Sequence, residues 1–188
     1  MNNKMNNVKE NGFTLMELMI VIAIISILAT GTGFAIIKKM PDYHLQTASD
    51  ALFLDFQLAK SNAVLHQEKT RILFNLETNS YRILRLGSDG DVGGTGAAED
   101  TPVKEVFLAN YGSGVTFGRG IAPPMTESQD NLTYTNDWAT FSMNGSADEL
   151  GYAYLTHINR DRCYAVGTPS NAGIIRIYRA VNRVWENR

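Results

Sequence analysis

Few residues in this 188-residue chain have the types and spacing that catalysis or metal binding requires. The histidines are His44, His66 and His157, and no two stand at the His-x3-His spacing of metal ligands. His157, Asp161 and Cys163 are residue types of a nucleophile with its base and orienting acid. Such groups assemble in space rather than along a few residues of chain, so their nearness in sequence argues little. Cys163 is the single cysteine, which excludes an intrachain disulfide and a multi-cysteine metal site; beside Tyr164 it reads as a small buried hydrophobe. Asp89 and Asp91, in Ser88-Asp89-Gly90-Asp91-Val92-Gly93, offer carboxylates to a hard cation. The other acidic ligands of a calcium loop are missing, and the stretch reads as a solvated glycine-rich loop. No nucleophile elbow, P-loop or dinucleotide fingerprint occurs. No catalytic residue, metal or cofactor is expected, and the chain is not read as an enzyme.

The C-terminus carries a different chemistry. Arg176, Arg179, Arg183 and Arg188 lie beside Tyr178 and Trp185, and arginine with aromatics can contact phosphates and bases. If Ile174–Tyr178 is a strand, Arg176 shares a face with Ile174 and Tyr178, and Arg179 falls on the other. The chain as a whole has a net charge of −2, so it is no general polyanion binder. Arginines that guard a sheet edge against aggregation are the favoured reading.

The most informative side chain is Glu17. It abuts Leu18–Ile37, a run with no charged residue, as long as the ~20 residues a helix needs to cross a bilayer core. A carboxylate near the hydrocarbon costs about 2.5–3.5 kcal/mol at the centre and less at the end of a span. A cation at the same depth would relieve that cost. Before Glu17 lies a polar leader with Lys4 and Lys9, in which Met5 is an alternative start. An ordinary secretory signal is the competing reading, with Leu18–Leu28 as its apolar core and cleavage near Ala29-Thr30-Gly31. The apolar run continues through Phe34 to Ile37, however, and an acid gains nothing at that place in such a signal. A plain membrane anchor is the other competitor, and lysines at both ends (Lys38 and Lys39 at the far one) leave orientation open. Gly31, Gly33 and Pro41 predict a bend or an extended stretch between Thr30 and Pro41.

From Asp42 to about Gln67 the spacing is helical. Leu45, Ala48, Leu52, Phe56, Ala59 and Ala63 form one stripe, with Ala51, Leu54, Leu58 and Leu65 roughly opposite. Two stripes suggest burial on two sides, one against the chain's own sheet and one against neighbours. Short β-type runs follow: Thr70–Phe74, Tyr81–Leu86, Glu105–Leu108, Val115–Phe117, Trp138–Met143, Tyr152–Thr156, Cys163–Val166, Ile174–Tyr178 and Val181–Trp185. Gly87–Asp100 and Arg119–Asn136 read as loops, and Asn144-Gly145 as a turn. Helix first and antiparallel sheet after it is an α+β arrangement.

Gly12-Phe13-Thr14-Leu15-Met16-Glu17, followed by the apolar run, resembles the N-terminus of type IV pilins and type II secretion pseudopilins. Leu58-Ala59-Lys60-Ser61-Asn62-Ala63, Thr70–Asn75, Trp138–Gly145 and Ile174–Trp185 resemble the GspH/FimT branch of minor pseudopilins. Met143 stands where that branch commonly has proline. The resemblance implies a pilin-like fold, with a long N-terminal helix, transmembrane in its first half, packed on antiparallel sheets. It implies a leader at 1–12, the methylation motif and membrane helix at 13–37, an amphipathic continuation at 38–67 and a β-rich periplasmic domain at 68–188. A prepilin peptidase would cut between Gly12 and Phe13 and N-methylate Phe13. Glu17 would then pair with the Phe13 amine of a neighbouring subunit. The implied partners are that peptidase, other pilin or pseudopilin subunits, an inner-membrane assembly platform and the bilayer. Some FimT-like proteins bind DNA through a C-terminal Gly-Arg-x-Arg motif. The corresponding Asn182-Arg183-Val184-Trp185 lacks the glycine and the second arginine, so nucleic acid is not an expected partner, with Arg176, Arg179 and Arg183 as the residues that would carry it.

Overall fold

The structure, a computed structural model, describes residues 12–87, 90, 100–128, 130–158, 160–181 and 183–188, without the side chains of 30–36, 160, 161 and 181. The chain divides into two units between Lys39 and Met40. One helix, α1 (Leu15–His66), contributes its first part to one unit and its second part to the other. Of the bend or extended stretch expected between Thr30 and Pro41, the extended stretch does not occur: the helix is continuous there. Pro41 removes a single backbone donor, and helix propagation over the flanking turns outweighs that local loss.

In the first unit, every large apolar side chain described from Leu15 to Leu28 is at least 45% exposed. Ser26 turns its hydroxyl back onto the Ile22 carbonyl at 2.8 Å, so it presents no free donor on this surface. Among the described residues no helix is long and apolar enough to cross a membrane. The uncharged run Leu18–Ile37 extends beyond Ala29 into side chains outside the described set, so its membrane assignment rests on sequence.

In the second unit α1 packs on two antiparallel sheets. One has the order β3-β2-β1-β5, from β1 (Thr70–Asn75), β2 (Ser80–Arg85), β3 (Thr101–Phe107) and β5 (Trp138–Phe141). The other has the order β4-β6-β7-β8-β9, from β4 (Val115–Phe117), β6 (Gly151–His157), β7 (Arg160–Ser170), β8 (Ile174–Val181) and β9 (Val184–Asn187). All nine expected strands are present. Several bounds differ: β3 begins at Thr101 rather than Glu105, the expected strand residue Leu108 opens a 3-10 turn (Leu108–Tyr111), β5 ends at Phe141 rather than Met143, and β7 is longer than Cys163–Val166. Val181 ends β8 and pairs with Val184 of β9, so the expected strand Val181–Trp185 is divided between the two. Arg183 takes a left-handed φ of 64° there, a conformation uncommon for a residue with a side chain.

The core joins both sheets to the helix. Leu45, Ala48, Leu52, Phe56, Ala59 and Ala63 are fully buried, as their spacing requires. Phe56 is central, its ring centroid 6.2 Å from Phe74, 6.3 Å from Tyr134 and 6.2 Å from Phe141. The other stripe stays open: Leu54 is 59% exposed and Leu65 75%, with Leu58 exposed between them. Part of the Arg119–Asn136 segment is a strap over the far face of the β6–β9 region. Met125 N–H donates to the Tyr154 hydroxyl at 2.9 Å, and Trp185 Nε1 donates to the Pro123 carbonyl at 2.8 Å.

Candidate functional site

The junction at Gly12-Phe13 precedes the helix. Phe13 is 81% exposed and Gly12 is also exposed. A Cβ added at Gly12 would meet nothing within 4 Å among the described residues. The fold described here places no demand for glycine at this position. Thr14 caps the helix: its Oγ1 accepts the Glu17 N–H at 3.2 Å, and its carbonyl accepts the Leu18 N–H at 3.2 Å. Thr14-x-x-Glu17 has the spacing of a capping box, a signal the sequence reading passed over. The Glu17 carboxylate is exposed and has no partner among the described residues. Gly12, Phe13 and Glu17 therefore lie together at one open helix end.

Arg176 and Arg179 fall on opposite faces of β8. Arg179 pairs with Glu186 at 3.3 Å, and Arg188 grips Asp50 on α1 at 2.6 and 3.2 Å. Arg183 sits at the β8–β9 connection, and Arg176 is exposed on the face that also carries Tyr178. The alternation expected from sequence holds along β8.

Cys163 is fully buried in a cluster with Tyr152, Tyr154 and Ala165, and burial pushes its thiol up to about 12. His157 instead meets the Ser113 carbonyl through Nε2 at 3.0 Å, and the Asp161 side chain lies outside the described residues. Among the described residues no three His, Cys, Asp or Glu side chains could hold a metal ion. Asp89 and Asp91 lie outside them. His44 packs against Gly112, where any side chain would strike its ring, and His66 is exposed at the end of α1.

Sequence reasoning missed the polar lock between α1 and the first sheet. Asp55 is only 3% exposed. It accepts Tyr81 Oη at 2.7 Å and Lys104 Nζ at 2.7 and 2.8 Å. Burial and the Asp55 carboxylate both raise the Tyr81 hydroxyl, so this group remains a donor. The only sequence signal was an acid next to the buried stripe.

Residues 7–33 match the prokaryotic N-terminal methylation motif. No curated protein matches the chain. The minor pseudopilin EpsH of the Vibrio cholerae type 2 secretion system is similar in structure, with a TM-score of 0.50 at 12% identity over 71% of this chain and 95% of that one. The type IV minor pilin FimU of Pseudomonas aeruginosa also aligns, at a TM-score of 0.48 and 15% identity over 76% of this chain and 92% of that one. The chain thus joins a prokaryotic N-terminal methylation motif to a pilin-like fold.

Proposed function

We propose that this chain is a minor pilin or pseudopilin of the GspH/FimT type, a structural subunit rather than an enzyme. A prepilin peptidase cuts after Gly12 and N-methylates Phe13. Residues 13–37 hold the subunit in the bacterial inner membrane, with residues 68–188 in the periplasm, until an assembly platform adds it to a pilus or pseudopilus. The observation that carries this reading is the methylation motif lying on a helix whose apolar side chains find no cover in their own unit. Each large aliphatic side chain gains about 1.5–3 kcal/mol on full burial. A bilayer covers them in the stored subunit and neighbouring helices cover them in the fibre.

Gly12 supports the same reading. Its glycine identity answers no need of the described structure, which fits a residue read by a processing enzyme. Glu17, without a side-chain partner among the described residues, is available to the amine of a neighbour. N-terminal analysis of the mature protein tests the proposal. N-methylated Phe13 is the expected first residue, whereas a mature chain starting near Thr30 or Gly31 would assign the region to an ordinary secretory signal.

A further inference from the structure

This inference rests on the proposed function, in which cleavage after Gly12 leaves Phe13 with the α-amine that Glu17 of another subunit must meet. Phe13 and Glu17 are four residues apart. On a helix such residues share a face, with β-carbons about 5–6 Å from each other. A helix that began at Phe13 would therefore set the new amine over the Glu17 of its own chain. Opposite charges at that range attract strongly in a poorly hydrated setting. Self-pairing would use up both halves of the link between subunits.

The structure does not start the helix there. Gly12, Phe13 and Thr14 are non-helical, and α1 begins at Leu15. The Thr14 hydroxyl holds the Glu17 N–H at 3.2 Å, which defines the helix start after Phe13. The reciprocal half of the capping box, from the Glu17 carboxylate to the Thr14 N–H, is not formed. The hydroxyl thus fixes the first turn while the carboxylate stays unengaged.

We propose that Thr14 is a positioning residue: by capping α1 it holds the mature Phe13 amine away from Glu17 of the same chain and leaves both charges for neighbouring subunits. Serine can supply the same hydroxyl and alanine cannot, and loss of such a cap shifts the balance at a helix start by about 1 kcal/mol.

Carbodiimide coupling tests this directly, because it joins a carboxylate to an amine with loss of one water. The mature full-length protein is coupled in dilute detergent solution, and the N-terminal peptides are identified by mass spectrometry. Wild type and Thr14→Ser are expected to give little ring-closed Phe13–Glu17 peptide. Thr14→Ala is expected to give about five-fold more, with a matching fall in incorporation into fibres. Glu17→Gln must abolish the ring and serves as the control on its identity. The proposal is overturned if wild type closes the ring as readily as Thr14→Ala, or if Thr14→Ser behaves like Thr14→Ala. A mature chain that does not start at Phe13 overturns both this proposal and the function on which it rests. Correct cleavage with unchanged ring closure in Thr14→Ala overturns this proposal alone.

Discussion

In the second part of α1, Leu45, Leu52 and Phe56 are wholly buried against two sheets, whereas in the first part Leu15, Ile22 and Leu28 are 76%, 55% and 66% exposed. Both parts are helical and rich in aliphatic residues, so helix formation and hydrophobicity alone do not separate them. The pattern does. The second part alternates its apolar stripe with Asp50, Asp55 and Lys60, and so has one side for the core and another for polar partners. From Leu18 to Ile37 there is no charged residue and no polar side to turn outward. The second unit buries one full apolar stripe and leaves Leu54, Leu58 and Leu65 open, whereas every large apolar side chain described from Leu15 to Leu28 is exposed.

If the second unit is closed, its thiol is shut away: raising Cys163 from 9.0 to about 12 lowers the thiolate fraction about 1,000-fold at neutral pH. A thiol reagent should modify the folded chain slower than the urea-unfolded chain by a factor on the order of 1,000. The same shift makes stability depend on pH in a definite sense. The folded state holds the thiol proton more tightly, so this contribution is complete below pH 9 and is lost as pH rises from 9 towards 12.

Phe56→Ala should destabilise the second unit by about 3–5 kcal/mol in urea denaturation, while Ile22→Ala should leave that transition within about 0.5 kcal/mol of wild type. Equal losses for the two would end the distinction between the units. Ile22→Asp should reverse the pattern: membrane retention falls, consistent with an insertion cost of about 2.5–3.5 kcal/mol, and the urea midpoint of the second unit does not move. Asp55→Ala removes the carboxylate that accepts the buried Tyr81 hydroxyl and the Lys104 ammonium, and should cost about 2 kcal/mol. Arg188→Ala removes a partly exposed ion pair with Asp50 and should cost about 0.5 kcal/mol, less at high salt.

The parts of this protein legible in the sequence were those governed by local repetition. The stripe from Leu45 to Ala63 and the alternation in the strands follow from residues close in the chain, and the structure places them as expected. The turn at Gly145, with φ of 81°, was legible for the same reason. What could not be read depends on distant partners. Asp55 meets Lys104 and Tyr81 only once two strands have docked on the helix, and nothing beside Asp55 announces them. The β8–β9 turn was hidden because Arg183 is an unusual residue for a left-handed φ. Pro41 did not bring an extended stretch: a strong local breaker sits in a helix that continues on both sides. At the junction, Gly12, Phe13 and Glu17 were named from their order alone, and the structure added Thr14, whose role appears only when the helix start is fixed.

The ion pair between Arg188 and Asp50 also bears on how the protein can be labelled. The last residue of the chain is fastened to α1, so a fusion added at the C-terminus would emerge beside that helix and compete with the pair that fastens it. The turn between β1 and β2 offers a gentler address. Leu76, Glu77 and Thr78 are exposed there, and a short epitope inserted after Glu77 leaves every strand register intact. Microscopy with a tag at that turn would follow the subunit without disturbing the helix it is meant to report on.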